Sequence, residues 1–237
     1  MIERLHGLWP HLQQLTVFWL LATLAVFQGF SALAQRLKQP LINPVGLSIL
    51  SLIVVLQVTD TPYAQYWAGA QWLHFVLGPA TVALAVPLYQ QRARVLALWR
   101  PLGLTLVWGS SCAILSATAI GWALGASPPS LLALAPKSAT APVAMGIVEK
   151  LGGIVSLTAA LVILTGVTGA LLGPWLLDRL AIRTPAVRGF ALGLASHGIG
   201  TARAFQESEE AGAFAGLGMG LNALMTSLLV PLLVRLV

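Results

Sequence analysis

The stretch PKSATAPVAMGIVEKLGG, Pro136 to Gly153, decides how the rest of the chain is read. It carries Lys137, Glu149 and Lys150 together with Pro136, Pro142 and Gly152-Gly153, and it lies between Leu102 to Leu124 and Ile154 to Leu177, two apolar runs long enough to cross a bilayer. A charge at membrane depth costs at least ~2.5–3.5 kcal/mol per residue on insertion scales and is usually retained for a function. Helix breakers at that depth persist only where protein or a water-filled cavity covers the freed backbone groups. A second stretch of the same kind, SHGIGTARAFQESEE, runs from Ser196 to Glu210. The two are expected to be broken or re-entrant helices, and the chemistry is expected between them.

The composition supports a membrane setting. The 237 residues are 57% hydrophobic and only 8% charged, with mean hydropathy +0.85, whereas soluble domains are about 25% charged. The net charge of +6 does not point to nucleic acid, because Lys and Arg are scattered through loops without interleaved aromatics. One cysteine, Cys112, excludes an intrachain disulfide and a cysteine metal cluster. No Gly-x-Ser-x-Gly elbow, phosphate-binding loop, paired carboxylate site or His-Glu-x-x-His helix occurs, so neither an enzyme nor a cofactor or metal site is expected. The first apolar stretch is too long for a cleavable signal h-region.

Along the chain, Leu12 to Leu33 reads as a first crossing and Leu41 to Val58 as a second, opened by Asn43-Pro44. Thr59 to Gln71 reads as an outer loop with an aromatic belt. Trp72 to Tyr89 reads as a third element interrupted at Gly78-Pro79 and again at Pro87, and Leu102 to Leu124 as a fourth crossing. Basic loops at 36–38, 92–100 and 179–188 alternate with uncharged or acidic ones at 59–71 and 125–130, which sets the basic ones inside and the amino terminus outside. This parity favours residues 131–153 leaving and returning on one side; the alternative is one complete crossing there, which would put Arg179, Arg183 and Arg188 outside. Ala211 to Leu236 is a last long segment, with Gly212, Gly216, Gly218 and Gly220 at helix-packing spacing, and Glu207, Glu209 and Glu210 before it read as a solvated face. The fold class is therefore all-α and polytopic, one integral membrane domain over 1–237 with about six to eight membrane segments and inverted repeats of the secondary-transporter type.

Half-helix ends offer unpaired N–H groups and a positive dipole end, which bind anions. Lys137 and Arg203 add fixed charge, and Ser138, Thr140, Ser196 and Thr201 add hydroxyls. Gly198, Gly200, Pro79, Thr81 and Asn43 complete the expected binding set. His197 or Glu149 would carry a coupling proton. Each has a plainer reading: Lys137 snorkels to the interface, Glu149 and Lys150 form a solvated pair, His197 is satisfied by a backbone carbonyl, and Arg203 pairs with Glu207 at i,i+4.

Four stretches in order, Leu77-Gly-Pro-Ala-Thr-Val-Ala-Leu-Ala-Val-Pro-Leu-Tyr89, Pro136-Lys-Ser-Ala-Thr-Ala-Pro-Val-Ala-Met145, Leu151-Gly-Gly153 and Ser196-His-Gly-Ile-Gly-Thr-Ala-Arg-Ala204, resemble the LrgB/CidB family. The resemblance runs from about Asn43 to the carboxyl terminus, which marks 41–237 as the LrgB-like transport core and 12–33 as a peripheral helix. It departs at Gly198, where family members commonly have Ala, and at Ala141, where they often have Thr. The family contains antiholin-like proteins that regulate murein hydrolase export and autolysis. It also contains plastid glycolate/glycerate translocators and bacterial pyruvate carriers. The resemblance implies a multi-pass protein of the bacterial inner membrane that transports a small monocarboxylate (glycolate, glycerate or pyruvate), with possible proton coupling. The alternative is a holin/antiholin-like protein acting with a small LrgA/CidA-type membrane partner. The expected partners are the bilayer, the carboxylate, a second copy in a homodimer and that small protein.

Overall fold

A computed structural model describes residues 15–37, 44–83 and 85–236. The chain falls into two compact units, Met1–Ala83 and Leu84–Val237, and no strand occurs among the described residues.

The first unit holds α1 (Thr16–Leu37), α2 (Pro44–Val58) and α3 (Tyr63–Ala83). Trp19, buried on α1, meets Tyr66 edge-on at 5.7 Å, and Thr23 Oγ1 lies 3.3 Å from the Tyr66 hydroxyl, so α1 and α3 pack through an aromatic–hydroxyl seam. Two expectations are corrected here. Only residues 59–62 are non-helical between α2 and α3, and the helix after Pro62 runs through Gly69. Helix α3 also continues through Gly78-Pro79 to Ala83; one proline removes one donor, and a helix already four turns long absorbs the loss. Pro87 sits inside the short helix α4 (Ala85–Gln90), and Leu84 lies outside the described residues.

In the second unit α5 (Arg92–Ala97) leads to α6 (Trp99–Ala123). There follow α7 (Pro128–Leu134), α8 (Ala141–Leu151), α9 (Val155–Arg179), α10 (Pro185–Glu207) and α11 (Glu209–Leu236). Among the described residues, four helices are long and apolar enough to cross a membrane: Val17–Leu37, Trp99–Ala123, Val155–Arg179 and Glu209–Arg235. Tryptophans 99 and 122 are exposed at the two ends of α6, about 34 Å apart by helical rise, which matches a bilayer with its aromatic belts. Arg100 lies over Trp99 at 5.3 Å and Arg179 over Trp175 at 5.3 Å, so the basic end of each helix is also its cation–aromatic end.

The two remaining elements do not cross. Helix α7 has 7 residues and α8 has 11, about 10 and 16 Å, against a hydrocarbon core of about 30 Å. A Cβ placed on Gly153 would stand 3.0 Å from Leu132 Cβ and 3.5 Å from the Pro129 carbonyl. The end of this segment therefore lies beside its start, and α7–α8 is a re-entrant hairpin with its tip at 135–140. Helix α10 is also a hairpin. Its backbone leaves helical geometry at Ser196 (φ −132, ψ 16) and His197 (φ 43, ψ −133), and Arg188 reaches Glu207 at 2.8 Å. An unbroken helix would hold those two about 28 Å apart. The arms 185–195 and 198–207 thus run in opposite directions from a tip at Ser196-His197.

The hairpins enter from opposite sides. Gly121, near the end of α6, faces Leu131 and Leu134 of the first hairpin, whereas Arg188 at the base of the second hairpin bonds Asp178 at the other end of α9 at 2.8 Å. One unit, α6 plus its hairpin, is therefore repeated upside down as α9 plus its hairpin. Helix α11 runs beside the arm 185–195 at backbone contact: a Cβ on Gly189 or Gly193 would overlap the carbonyl oxygen of Ala211 or Ala215. Core clusters lie above and below the middle, Leu106, Phe190, Leu194 and Phe214 in one, Ile114, Ala135, Ile147 and Val230 in the other.

The acidic run before α11 is not the solvated face expected of it. Glu207 takes both Nε and Nη2 of Arg188, at 2.8 and 3.1 Å, and Glu210 takes Arg94 at 2.8 Å. Folding α10 back on itself brings Arg188 to Glu207, which leaves Arg203 to Gln206 at 3.3 Å in place of an i,i+4 ion pair.

Gly193→Ala should therefore lower the thermal midpoint of the detergent-solubilised protein, by about 1–3 kcal/mol of overpacking against backbone that cannot yield. Gly146→Ala, where no atom lies within 4 Å of the new Cβ, should leave it unchanged. Equal midpoints for the two variants would refute the hairpin-on-α11 packing.

Candidate functional site

A hairpin tip in the membrane exposes what a helix hides. Carbonyls in the last turn of the entering arm and donors in the first turn of the returning arm lose their intrahelical partners. In the second unit these groups converge on Asn222. Its side chain is 1% exposed and sits at the midpoint of the 28-residue α11. The amide Nδ2 donates to the Ser138 carbonyl at 3.0 Å and to the Leu194 carbonyl at 3.0 Å. Its Oδ1 accepts from Ser110 Oγ of α6 at 2.6 Å, and Thr226 Oγ1, one turn on, lies 3.5 Å away. One amide thus ties the tips of both hairpins to each other and to α6.

Beside this tie lies a cavity of about 570 Å³. Lys137 and Ser138 come to it from the first tip, and Leu194, Ala195 and Ser196 from the second. Gly109, Cys112 and Ala113 of α6 and Leu161, Leu164, Thr165, Thr168 and Gly169 of α9 complete the wall. Residues 109–113 straddle the middle of α6 and 161–169 the middle of α9, so the cavity is at half depth in both spanning helices. Among the described residues, Lys137 is the only charged one in its wall. Its Nζ lies 3.4 Å from Ser138 Oγ, and no carboxylate among the described residues is paired with it.

Ser196 Oγ is buried with no hydrogen-bond partner. It is seated over Gly169, where a Cβ would overlap it. A buried hydroxyl without a partner forgoes its bonding to water, a loss of order 1–3 kcal/mol. His197, next in the chain, holds a positive φ unusual for a side-chain-bearing residue. Its Nε2 lies 2.9 Å from the Val162 carbonyl, with Gly166 leaving room for the ring.

The other expected site residues divide. Thr201 Oγ1 donates to the His197 carbonyl at 2.9 Å and contacts Met219, so it braces the returning arm. Gly200 permits the arms to touch, since a Cβ there would overlap the Leu192 carbonyl. Gly198 is exposed beside the tip. Thr140 is the N-cap residue of α8 without a side-chain capping bond and is not part of the cavity wall. Arg203 stands on the returning arm, outside that wall, and Glu149 and Lys150 are exposed at the far end of α8. Pro79 is exposed on α3 of the first unit, where Thr81 also lies. Asn43 lies outside the described residues. Asn222 and Ser110 were not among the expected residues. Their signal was a side-chain amide and a serine in the middle of apolar runs.

A sequence-family model described as the LrgB-like family matches residues 23–236. The chain belongs to the LrgB-like family. Its relatives include the holin-like protein CidB of Staphylococcus epidermidis, 32% identical over 228 residues that cover 93% of this chain and 96% of that protein. The holin-like protein CidB of Staphylococcus aureus is 31% identical over 217 residues, 92% of this chain and 95% of that one. The uncharacterized protein YxaC of Bacillus subtilis is 34% identical over 222 residues, 94% of this chain and 96% of that one. No solved structure matches. With its spanning helices and these bacterial relatives, the LrgB-like chain is a multi-pass bacterial membrane protein.

Because Ser196 Oγ is buried and bonds nothing, Ser196→Ala should not lower the stability of this LrgB-like protein and should raise it by up to about 1–3 kcal/mol. Gly169→Ala, which pushes a methyl into that hydroxyl, should cost about 1–3 kcal/mol. Thermal unfolding in detergent checks both, and a large loss in Ser196→Ala would mean that the hydroxyl has a partner after all.

Proposed function

We propose that this LrgB-like protein carries a small organic monoanion across the bacterial membrane through the mid-depth cavity. The observation that supports this reading is the meeting there of one cationic side chain, Lys137, with the unpartnered hydroxyl of Ser196, each delivered by a hairpin from an opposite side. One positive charge suits one carboxylate. Ser138 and Ser196 can donate to the carboxylate or to a hydroxyl or carbonyl beside it, and Leu161, Leu164 and Leu194 suit a short hydrocarbon remainder. Glycolate, glycerate and pyruvate fit that description. The reading assigns the carboxylate to Lys137 alone, because Arg203 is off the wall. It assigns any coupled proton to His197, adjacent to the tip, ahead of Glu149 at the hairpin base.

Counterflow of labelled two- and three-carbon acids in proteoliposomes tests it. Wild-type protein should show saturable counterflow of one such acid. Lys137→Gln should lower it at least about ten-fold by removing a charge-assisted contact, with insertion unchanged, and Arg203→Ala should stay near wild type. Absence of saturable flux for every acid in the panel would end the carrier reading.

A second reading has its own support. The CidB relatives carry the name holin-like, and none of those names mentions a carboxylate, so the relatives favour a holin-like membrane protein, read here as one that modulates lysis with a small LrgA/CidA-type partner. On that reading the lipid-facing side of α11, where Gly220 is exposed with no atom within 4 Å of an added Cβ, governs assembly. Gly220→Leu should then change lysis while Lys137→Gln leaves it unchanged. The reverse pattern favours the carrier.

A further inference from the structure

We infer that Asn222 is the positioning residue of the cavity. A single primary amide, buried at mid-depth, holds the tip bearing Lys137 and Ser138 in register with the tip bearing Ser196, so that the charge and the free hydroxyl of the wall keep their relation to each other. The geometry carries this. Asn222 does not line the cavity, yet its two N–H donors are both spent on tip carbonyls, Ser138 and Leu194 at 3.0 Å each. Both carbonyls belong to residues of the cavity wall, and Leu194 stands two residues from Ser196. The amide is itself fixed by Ser110 Oγ at 2.6 Å, so its plane cannot turn without releasing α6. The tips come from opposite sides of the membrane and share no covalent neighbour near the cavity. This amide is therefore their common reference point, and neither tip can shift along the membrane normal without straining the bond to the other.

The inference extends the carrier reading by naming the residue that assembles its site, but its test needs no transport. Cys112 is the sole cysteine of the chain, is exposed, and lines the same cavity as Lys137. Two methanethiosulfonate reagents of equal size, one anionic and one cationic, report through their rate ratio at Cys112 the field that Lys137 exerts there. In the wild-type protein reconstituted in vesicles the anionic-to-cationic rate ratio, divided by the same ratio at a small free thiol, should be about thirty, because roughly 1 kcal/mol of attraction for the anion is matched by equal repulsion of the cation. Lys137→Gln should bring the ratio to about one. If it does not, Lys137 does not charge the cavity and the carrier site itself fails, whatever Asn222 does.

Asn222→Leu, with the same heavy-atom branching, uncharged and unable to donate, should also collapse the ratio to about one while Lys137 is still present. Ser110→Ala, which frees the amide but leaves both tip bonds possible, should give an intermediate ratio in a protein that folds even if Asn222→Leu does not. A residue that merely fills space would change both reagent rates by the same factor and leave their ratio at the wild-type value. That outcome in Asn222→Leu, or a wild-type ratio in Ser110→Ala where Asn222→Leu cannot be purified, overturns the assignment.

Discussion

Lipid offers no hydrogen bond, and every other feature of the second unit follows from how this chain satisfies that constraint at two places where its helices stop short. A helix can end inside a bilayer only if something replaces the water that would solvate its last carbonyls. Here the replacement is a side-chain amide. Asn222 carries two donors and spends them on the last turn of one arm and the connector of the other hairpin. A hydroxyl has one donor and could hold only one tip. The amide is thus the smallest group that can join two interrupted backbones, and it must come from a third helix that passes between them.

That requirement explains the packing around it. For Asn222 to reach Leu194, α11 must lie against the arm 185–195 at backbone distance, which the chain achieves with Gly189, Gly193 and Gly218. Close approach also adds dispersion contact where no hydrophobic drive operates between helices. The apolar clusters lie above and below the polar layer. At the base, the hairpin is closed by the bidentate Arg188–Glu207 pair, the geometry in which an Arg–carboxylate contact is strongest. The tip is therefore fixed by an amide and the base by an ion pair, and between them the arms touch through Gly200.

How much of this was legible in the sequence varied with the kind of signal. Parity of basic loops favoured a return of residues 131–153 to their own side over a complete crossing, and α7 and α8 fold back there as two short helices. The Ser-His-Gly-Ile-Gly cluster marked the second break, and the backbone departs from helix at its first two residues. What could not be read was that this second break reverses the chain, because a kink and a hairpin spend the same glycines. The distinction rests on Arg188 meeting Glu207, a contact 19 residues apart in sequence. For the same reason the i,i+4 relation of Arg203 and Glu207 misled: it assumes Glu207 has no better partner. Lys137, Ser138 and Ser196 were legible because polarity at a breaker stands out, whereas Asn222 has no breaker beside it and was masked by the glycines that precede it. Gly78-Pro79 shows the opposite error, a breaker pair that α3 simply runs through.

The inverted arrangement also accounts for why the two halves look so little alike. Both consist of a 25-residue spanning helix followed by a hairpin, but the tips solve their geometry differently. The first uses an unwound connector from Ala135 to Thr140, with Pro136 and Pro142 fixing its ends. The second uses two residues and places one, His197, in a conformation that favours glycine. A strained side-chain-bearing residue is retained only when its neighbours hold it, and here Val162 and Gly166 of α9 do so from one side while the Thr201 bond to its carbonyl does so from the other. A glycine would relieve the strain and remove the ring that fixes the tip against α9. The different tips also deliver different groups to one cavity, a cation from the long connector and a hydroxyl from the short one. An asymmetric ligand, charged at one end and not at the other, is what two unlike tips facing each other can hold, and two identical tips could not.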